Sequence, residues 1–217
     1  MLFRNAVERF SSRSALIEPI EGDQTSTLTY QALQERVHMF AGYLQEQQIA
    51  KGERLMIWSA SRTNWLIAYL GALLVGMVVV PLDVNTKEDF LARIAETTEA
   101  KYLITTQKQY KGLKQPPAPL IDLDTLPQGS LDIAQLPAIE ENDLAELVFT
   151  SGTTGQPKGV MLSHRNIASN AMAAVQVVDI RSSDRALSIL PLSHMFEMTI
   201  EIAIIHAGAS IVYARTL

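Results

Sequence analysis

The chain has 217 residues, contains no cysteine and carries a formal net charge of −5 at pH 7. Without cysteine it has no disulfide, no zinc-thiolate site and no thiol nucleophile, and this composition fits the reducing cytoplasm, where we expect the protein. An acidic chain without a basic stripe lacks the positive charge that supplies most nucleic-acid affinity, so no nucleic-acid partner is expected.

The first part of the sequence alternates between helical and strand patterns. Apolar residues recur at helical spacing over 2–10, 29–48, 64–74 and 85–100, and short apolar runs over 54–59, 77–80 and 101–106 indicate strands. Thr29 is the expected N-cap of the second helix, while Thr86 and Asp89 have the spacing of a capping box for the fourth. Pro81 is expected to end the short buried strand over 77–80.

One segment has the composition of a membrane span. The run from Trp65 to Leu82 has 18 residues without a charge, which is borderline for crossing a bilayer. Gly76 followed by the valines at 78–80 favours a buried helix, a stop and a short buried strand instead. We therefore predict no transmembrane helix in this segment.

The second part begins with an irregular stretch and then resumes the alternation. Residues 107–143 are rich in proline and predict a surface connection with one short strand within "PLIDL". Further on we expect a helix from Ser163 to about Val178, a strand over 185–190, a helix over 195–206 and a strand over 209–214. The pattern predicts an α/β fold of alternating strands and helices around a largely parallel sheet, in subregions 1–106, 107–143 and 144–217.

The segment "LVFTSGTTGQPKGVMLSHRN", from Leu147 to Asn166, places glycines, hydroxyls and a lysine directly after an apolar run. Glycines at 152, 155 and 159 would let the backbone turn and approach a ligand, and consecutive backbone N–H groups in such a turn form an anion-binding concavity. Ser151, Thr153, Thr154 and Lys158 add donors and a positive charge. The alternative is a solvated turn of common composition, but the density of these residues favours a polyphosphate cradle.

The segment is not the P-loop of the nucleoside triphosphatases. That motif requires G-x-x-x-x-G-K-[ST]. Counted from Gly152, the second glycine position holds Pro157, and Gly159 follows Lys158 where Ser or Thr would hold Mg²⁺. The two segments could share the function of binding phosphates, but they do not share the motif.

The same segment closely resembles the phosphate-loop signature of the acyl-adenylate-forming (AMP-binding) enzymes, with its TSG-[ST]-TG-x-PKG core. This family includes acyl-CoA synthetases, adenylation domains of peptide synthetases and luciferases. The stretches "LTYQALQERV", "LGALLVGMVVVPLD" and "LPLSHMFEMT" resemble further family segments, so the likeness runs through essentially the whole chain. The HMFE form resembles long-chain fatty acyl-CoA synthetases most closely.

The resemblance implies a fold, a reaction and a set of site residues. The fold would be the first part of the family's large N-terminal domain. A carboxylate would attack the α-phosphate of Mg·ATP to give acyl-AMP and pyrophosphate, and a thiol, usually coenzyme A, would then displace AMP. The residues that match the phosphate loop, and would hold the β- and γ-phosphates, are Thr150, Ser151, Gly152, Thr153, Thr154, Gly155 and Lys158.

A second group of residues matches the family's carboxylate side. The resemblance assigns His194 to positioning the reacting carboxylate and pyrophosphate, Phe196 to a wall of the acyl pocket, and Glu197 to the same substrate region. The alternative for His194 is a satisfied, partly buried histidine after a strand. The four histidines show no metal-ligand spacing, so no metal site is predicted in this chain.

The sequence departs from the family pattern by what it lacks. The adenine segment, the acidic Mg²⁺ ligand of the YG-x-TE motif, the ribose aspartate and the C-terminal catalytic lysine of the family have no match here. We therefore expect a fragment that is inactive alone. The alternatives are a non-catalytic anion-binding partner of a split enzyme and a peptide-synthetase adenylation domain. The expected partner is a small-molecule carboxylate substrate, in particular a fatty acid. A long acyl chain would favour peripheral membrane contact, and an open sheet edge would favour self-association.

Overall fold

The structure is a computed structural model that describes residues 2–20, 24–150 and 158–214. Its contacts divide the chain into two compact units. The first unit comprises Met1–Arg36, Ser61–Thr63 and Arg165–Leu217, and the second comprises Val37–Ala60 and Asn64–His164. Each unit has its own sheet.

Helices and strands alternate along most of the chain. In chain order they are α1 (Leu2–Phe10), β1 (Ser14–Pro19), β2 (Thr25–Thr29), α2 (Tyr30–Glu46), β3 (Arg54–Trp58), α3 (Thr63–Leu74), β4 (Val78–Leu82), α4 (Glu88–Thr98), β5 (Tyr102–Thr105), α5 (Gln107–Lys111), β6 (Leu120–Asp122), β7 (Leu144–Thr150), β8 (Lys158–Ser163), α6 (His164–Val177), β9 (Arg185–Ser188), α7 (Met195–Ala207) and β10 (Ser210–Tyr213). A single 3₁₀ turn, Ile133–Gln135, lies in the proline-rich stretch among the described residues.

The sheet of the first unit has the strand order β2-β1-β10-β9. Strands β1 and β2 pair antiparallel, whereas β10 pairs parallel with both β1 and β9. The buried Tyr30 hydroxyl donates a 2.7 Å hydrogen bond to the carbonyl of Ala209, which ties the start of α2 to the start of β10. The Gly208 backbone has a φ of 78° and ends α7, so that β10 can begin two residues later.

The sheet of the second unit has six strands in the order β6-β5-β3-β4-β7-β8. All its pairings are parallel except the β7–β8 hairpin. Side chains alternate between the faces of a strand, and one face forms a core with α4 that includes Met56, Val80 and Leu103. The other face contains Leu55, Val79 and Glu146, which are paired in one row across β3, β4 and β7.

The predicted α/β fold with largely parallel strand pairing is confirmed, and its strands form two sheets. Thr29 caps α2 as predicted, since its hydroxyl accepts from the Ala32 N–H at 3.1 Å. The short strand expected within "PLIDL" is β6. Strands β1, β2 and β8 and the short helix α5 were not predicted. No described helix is long and apolar enough to cross a membrane.

Two predictions about element ends are wrong. The capping box does not form, because Thr86 closes a turn by donating its N–H to the Asp83 carbonyl, and α4 starts after Lys87 instead. Pro81 does not end its strand, because β4 continues to Leu82 and Pro81 lies opposite Ile57 of β3. The φ of proline is compatible with extended backbone, and its missing N–H is tolerated at a position near the strand end.

Candidate functional site

The predicted phosphate loop joins the two antiparallel strands β7 and β8. Thr150 ends β7 and Lys158 begins β8, and the two residues are register partners. The structure therefore brings these two predicted residues together at the loop end of a hairpin, with the Lys158 side chain exposed. Ser151, Gly152, Thr153, Thr154 and Gly155 lie outside the described residues, as does the side chain of Thr150.

Gly159 has a different role from the one that the sequence suggested. It lies within β8 opposite Phe149 rather than in the turn, so its expected part in turning the backbone is wrong. A Cβ atom at this position would lie 3.2 Å from Cζ of the Phe149 ring. A side chain at this position would therefore crowd the Phe149 ring of the paired strand.

The other end of the hairpin is held by polar contacts. Lys51 and Asp143 form an ion pair with 2.6 Å between Nζ and Oδ2, and this lysine holds the pKa of Asp143 below its usual range. The His164 N–H donates to the Asp143 carbonyl at 3.1 Å. Burial lowers the pKa of the His164 imidazole. These contacts fix the base of the hairpin, at the opposite end from Thr150 and Lys158.

His194 is the N-cap of α7 in the first unit. Its Nδ1 accepts a hydrogen bond from the Phe196 N–H at 3.3 Å, and the imidazole is exposed. Because Nδ1 is an acceptor, a neutral ring carries its proton on Nε2, which can then donate to an anion. The N-terminus of a helix also favours negative charge, so this position suits a carboxylate or a phosphate.

The other two predicted substrate residues lie in the first turn of α7. Phe196 is 61% exposed, which leaves its ring available to contact an apolar ligand. Glu197 is buried, with 7% of its surface exposed. An acidic residue in the first turn stabilises the helix through its dipole, so Glu197 is placed to support α7 rather than to face solvent.

Ser61 supports the turn that leads to His194, and sequence reasoning missed it. Its hydroxyl donates to the Leu190 carbonyl at 3.2 Å and accepts from the Leu192 N–H at 2.8 Å. The His194 N–H then donates to the Pro191 carbonyl at 2.8 Å. No sequence signal marks Ser61, because a serine more than a hundred positions before its partners belongs to no local motif.

A buried acid lies one helical turn beyond Glu197. Glu201 Oε2 accepts from the Tyr213 hydroxyl at 3.0 Å, and burial raises the pKa of Glu201 to about 8 although this hydrogen bond opposes the change. Burial thus favours the neutral form of Glu201 over the carboxylate. The pair joins α7 to β10 and thereby fixes the helix that starts at His194.

Within the described ranges, no group of three or more His, Asp or Glu side chains could hold a metal ion. From the sequence we predict no metal site in this chain. We assign the Mg²⁺ ligands of the family to motifs that this sequence does not contain. The described residues offer a lysine and a helix N-terminus, which are groups that bind anions rather than cations.

The family model of the AMP-binding enzymes matches residues 3–217, and the chain belongs to this family. Enzymes of the family form acyl-adenylates from ATP with Mg²⁺. Long chain acyl-CoA synthetase 8 of Arabidopsis thaliana is 28% identical over 220 residues, which cover 87% of this chain and 31% of that protein. Bacitracin synthase 3 of Bacillus licheniformis is 28% identical over 221 residues, 99% of this chain and 3% of that protein. The chain thus spans about a third or less of the length of these relatives.

Solved structures show the same fold. The N-terminal subdomain of Klebsiella oxytoca NpsA has a TM-score of 0.83 at 25% identity, covering 100% of this chain and 54% of that one. The same subdomain has been solved in complex with 3-hydroxyanthranilyl-AMSN. The peptide synthetase FmoA3 has a TM-score of 0.86 at 21% identity, covering 100% of this chain and 22% of its own, and so shares the fold. The chain is an α/β member of the adenylate-forming enzymes.

Proposed function

We propose that this chain supplies the phosphate-binding and part of the carboxylate-binding machinery of an AMP-forming acyl-CoA synthetase. The reaction would activate a fatty acid with ATP to acyl-AMP and pyrophosphate, and coenzyme A would then displace AMP. The observation that carries the proposal is the "TSGTTGQPKG" segment, which joins β7 to β8 in a chain that belongs to the AMP-binding family.

The residues of this chain would bind and orient the reactants rather than react covalently. Lys158 would neutralise charge on the β- and γ-phosphates, with hydroxyl donors from Thr153 and Thr154. The Nε2–H of His194 would donate to the carboxylate and hold it for attack on the α-phosphate. Phe196 would contact the first part of the acyl chain, where its exposed ring offers apolar surface.

Calorimetric titration with Mg·ATP and with pyrophosphate tests the phosphate site. Loss of a charged hydrogen-bond donor typically weakens binding by about tenfold or more, and we expect this for Lys158→Ala. Lys111→Ala removes an equally exposed lysine from α5 and should leave both affinities unchanged. Equal affinities for the wild-type protein and Lys158→Ala would contradict the proposed role of Lys158.

ATP–pyrophosphate exchange tests the reaction itself. We expect the chain alone to give no exchange above the blank with fatty acids, because the acid and lysine motifs of the family are missing from its sequence. Robust exchange by the chain alone would show that the reaction does not depend on residues outside this sequence. Pyrophosphate binding without exchange, even when the remaining family motifs are supplied on a second chain, would favour the non-catalytic anion-binding partner.

A peptide-synthetase adenylation domain is the second candidate. It is supported by relatives such as bacitracin synthase 3, which matches nearly all of this chain. The two candidates differ in the carboxylate that they activate. When the remaining family motifs are supplied, exchange stimulated by amino acids and not by fatty acids would favour the peptide-synthetase candidate.

A further inference from the structure

The apolar face of the second sheet contains one acid. Glu146 lies in β7 between Val79 of β4 and Leu162 of β8, and 1% of its surface is exposed. Its Oε2 accepts a hydrogen bond from the Tyr69 hydroxyl of α3 at 3.0 Å. Its Oε1 is buried and has no hydrogen-bond partner among the described residues. A buried carboxylate with one donor would be strongly destabilised, so this environment favours the neutral acid.

Few other titratable groups face this carboxyl. Tyr69 is the titratable residue of α3, and β4 and the rest of β7 contain none. Lys158 is the titratable residue of β8, and it lies at the opposite end of that strand from Leu162. Asp143 precedes β7 and is paired with Lys51. Burial raises the pKa of Glu146 to about 7, with the Tyr69 hydrogen bond acting in the opposite direction.

The position of Glu146 connects its protonation to the candidate site. The parallel register between β4 and β7 is defined at Val79 and Glu146, and an irregularity in the β7–β8 pairing lies between Leu144 and Glu146. The strand then runs four residues to Thr150, the register partner of Lys158. A shift of β7 that admitted water or a donor to an ionised Glu146 would therefore also move Thr150 and Lys158.

We propose that Glu146, in its neutral form, is a positioning residue that holds the Thr150–Lys158 pair in the geometry for phosphate binding, and that its ionisation weakens this binding. The inference rests on the proposed phosphate site at Lys158. Ionisation also places a negative charge about 13 Å along the strand from Thr150, at roughly 3.3 Å per residue, which disfavours an anion there. The shift of β7 and the added negative charge would both weaken phosphate binding.

The test compares Mg·ATP dissociation constants from pH 6 to pH 9 for the wild type and three variants. Ionisation of ATP is common to all of them, so ratios between proteins report on the protein. Glu146→Gln mimics the neutral acid and should bind like the wild type at pH 6. At pH 8.5 it should bind up to about thirtyfold more tightly, the factor expected if only the neutral fraction of Glu146 is competent.

Two further variants separate positioning from a general structural effect. Tyr69→Phe removes the hydrogen bond that stabilises the carboxylate, so the pH at which binding weakens should move upward. Glu201→Gln replaces an equally buried acid in the first unit and should follow the wild-type pH profile. Parallel profiles for the wild type and Glu146→Gln would overturn the proposal, as would an unchanged midpoint in Tyr69→Phe.

A measurement without ligand keeps the inference separate from the proposed function. Amide hydrogen-exchange protection at Thr150 and Lys158 should fall above pH 7 in the wild type relative to amides of β3, and should not fall in Glu146→Gln. If no protein binds Mg·ATP at any pH but this difference in protection appears, the proposed function fails and the positioning role of Glu146 stands. If protection is the same in both proteins, the positioning role fails.

Discussion

In each unit, a buried glutamate among the described residues accepts a hydrogen bond from a tyrosine hydroxyl. Glu146 is paired with Tyr69 in the second unit, and Glu201 with Tyr213 in the first. Burial raises the pKa of both carboxyls, to about 7 and about 8. Since an ionised carboxylate in such a place is unfavourable, each acid reduces the stability of the folded protein once it loses its proton.

Replacing Glu201 with glutamine should change how stability depends on pH. The folded-state pKa of Glu201 is raised from 4.5, so its favourable contribution is complete below about pH 4.5 and is lost as the pH rises through about 8. Glutamine cannot ionise, and its oxygen can still accept from Tyr213. The difference in unfolding free energy, variant minus wild type, should therefore increase by about 3–5 kcal/mol between pH 4.5 and pH 9. Urea denaturation followed by circular dichroism measures it, and a constant difference would contradict the buried neutral acid.

Two substitutions at His194 separate its capping role from its proposed chemistry. His194→Asn keeps a side-chain acceptor at the N-cap, whereas His194→Ala removes it, so the alanine variant should lose about 1 kcal/mol of stability and the asparagine variant little. Both variants lose the Nε2–H donor. In an assembly that carries out ATP–pyrophosphate exchange, both should be impaired to a similar degree. Full activity in His194→Asn would show that capping is the main role of this residue.

The end of α7 allows a test at the scale of elements. Gly208 has a φ of 78°, and a Cβ atom there would collide with the Phe10 ring of α1. Gly52 has a similar φ of 87°, but a Cβ atom there would have nothing within 4 Å. Alanine at Gly52 should thus cost about 1 kcal/mol for backbone strain alone, and alanine at Gly208 a further 1–3 kcal/mol for overpacking. Equal losses in urea denaturation would show that α1 moves aside without cost.

Elements with strong periodicity were predictable from sequence, and elements that depend on distant partners were not. Helix α3 and strand β3 have continuous apolar runs, which decide their structure locally. Strands β1 and β2 are polar or mixed, and they exist because β1 pairs with β10 almost two hundred positions later. Strand β8 follows a glycine-rich segment and has mostly exposed side chains, so no apolar alternation marked it.

The candidate site was predictable in part for the same reason. The phosphate segment and His194 belong to contiguous motifs that can be recognised in one sequence. Ser61 and Glu146 act through hydrogen bonds to residues far away in the sequence, and their residue types are common on protein surfaces. The burial of Glu146 could not be foreseen, because the apolar run around it reads as an ordinary strand that happens to contain one charge.

At the scale of the whole molecule, the chain contains two units with separate sheets, and we propose that it binds the phosphates of ATP. Its net charge of −5 means that the protein as a whole repels nucleotides, so any affinity for ATP must arise locally. Lys158 is the described residue that we propose as the main source of that local affinity, because it provides a positive charge at the loop end of the β7–β8 hairpin. The chain spans about a third or less of its relatives' length, and completion of the reaction is therefore proposed for an assembly that includes the remaining motifs.

The most direct test of the account is chemical labelling with an ATP analogue that carries an aldehyde on its terminal phosphate. Reduction with borohydride fixes the analogue to any lysine beside that phosphate, and peptide mapping identifies the residue. We predict that Lys158 is modified first, that Mg·ATP or pyrophosphate prevents the modification, and that exposed Lys111 reacts slowly and without protection. Labelling spread evenly over the lysines and unaffected by Mg·ATP would contradict a phosphate site at the β7–β8 hairpin.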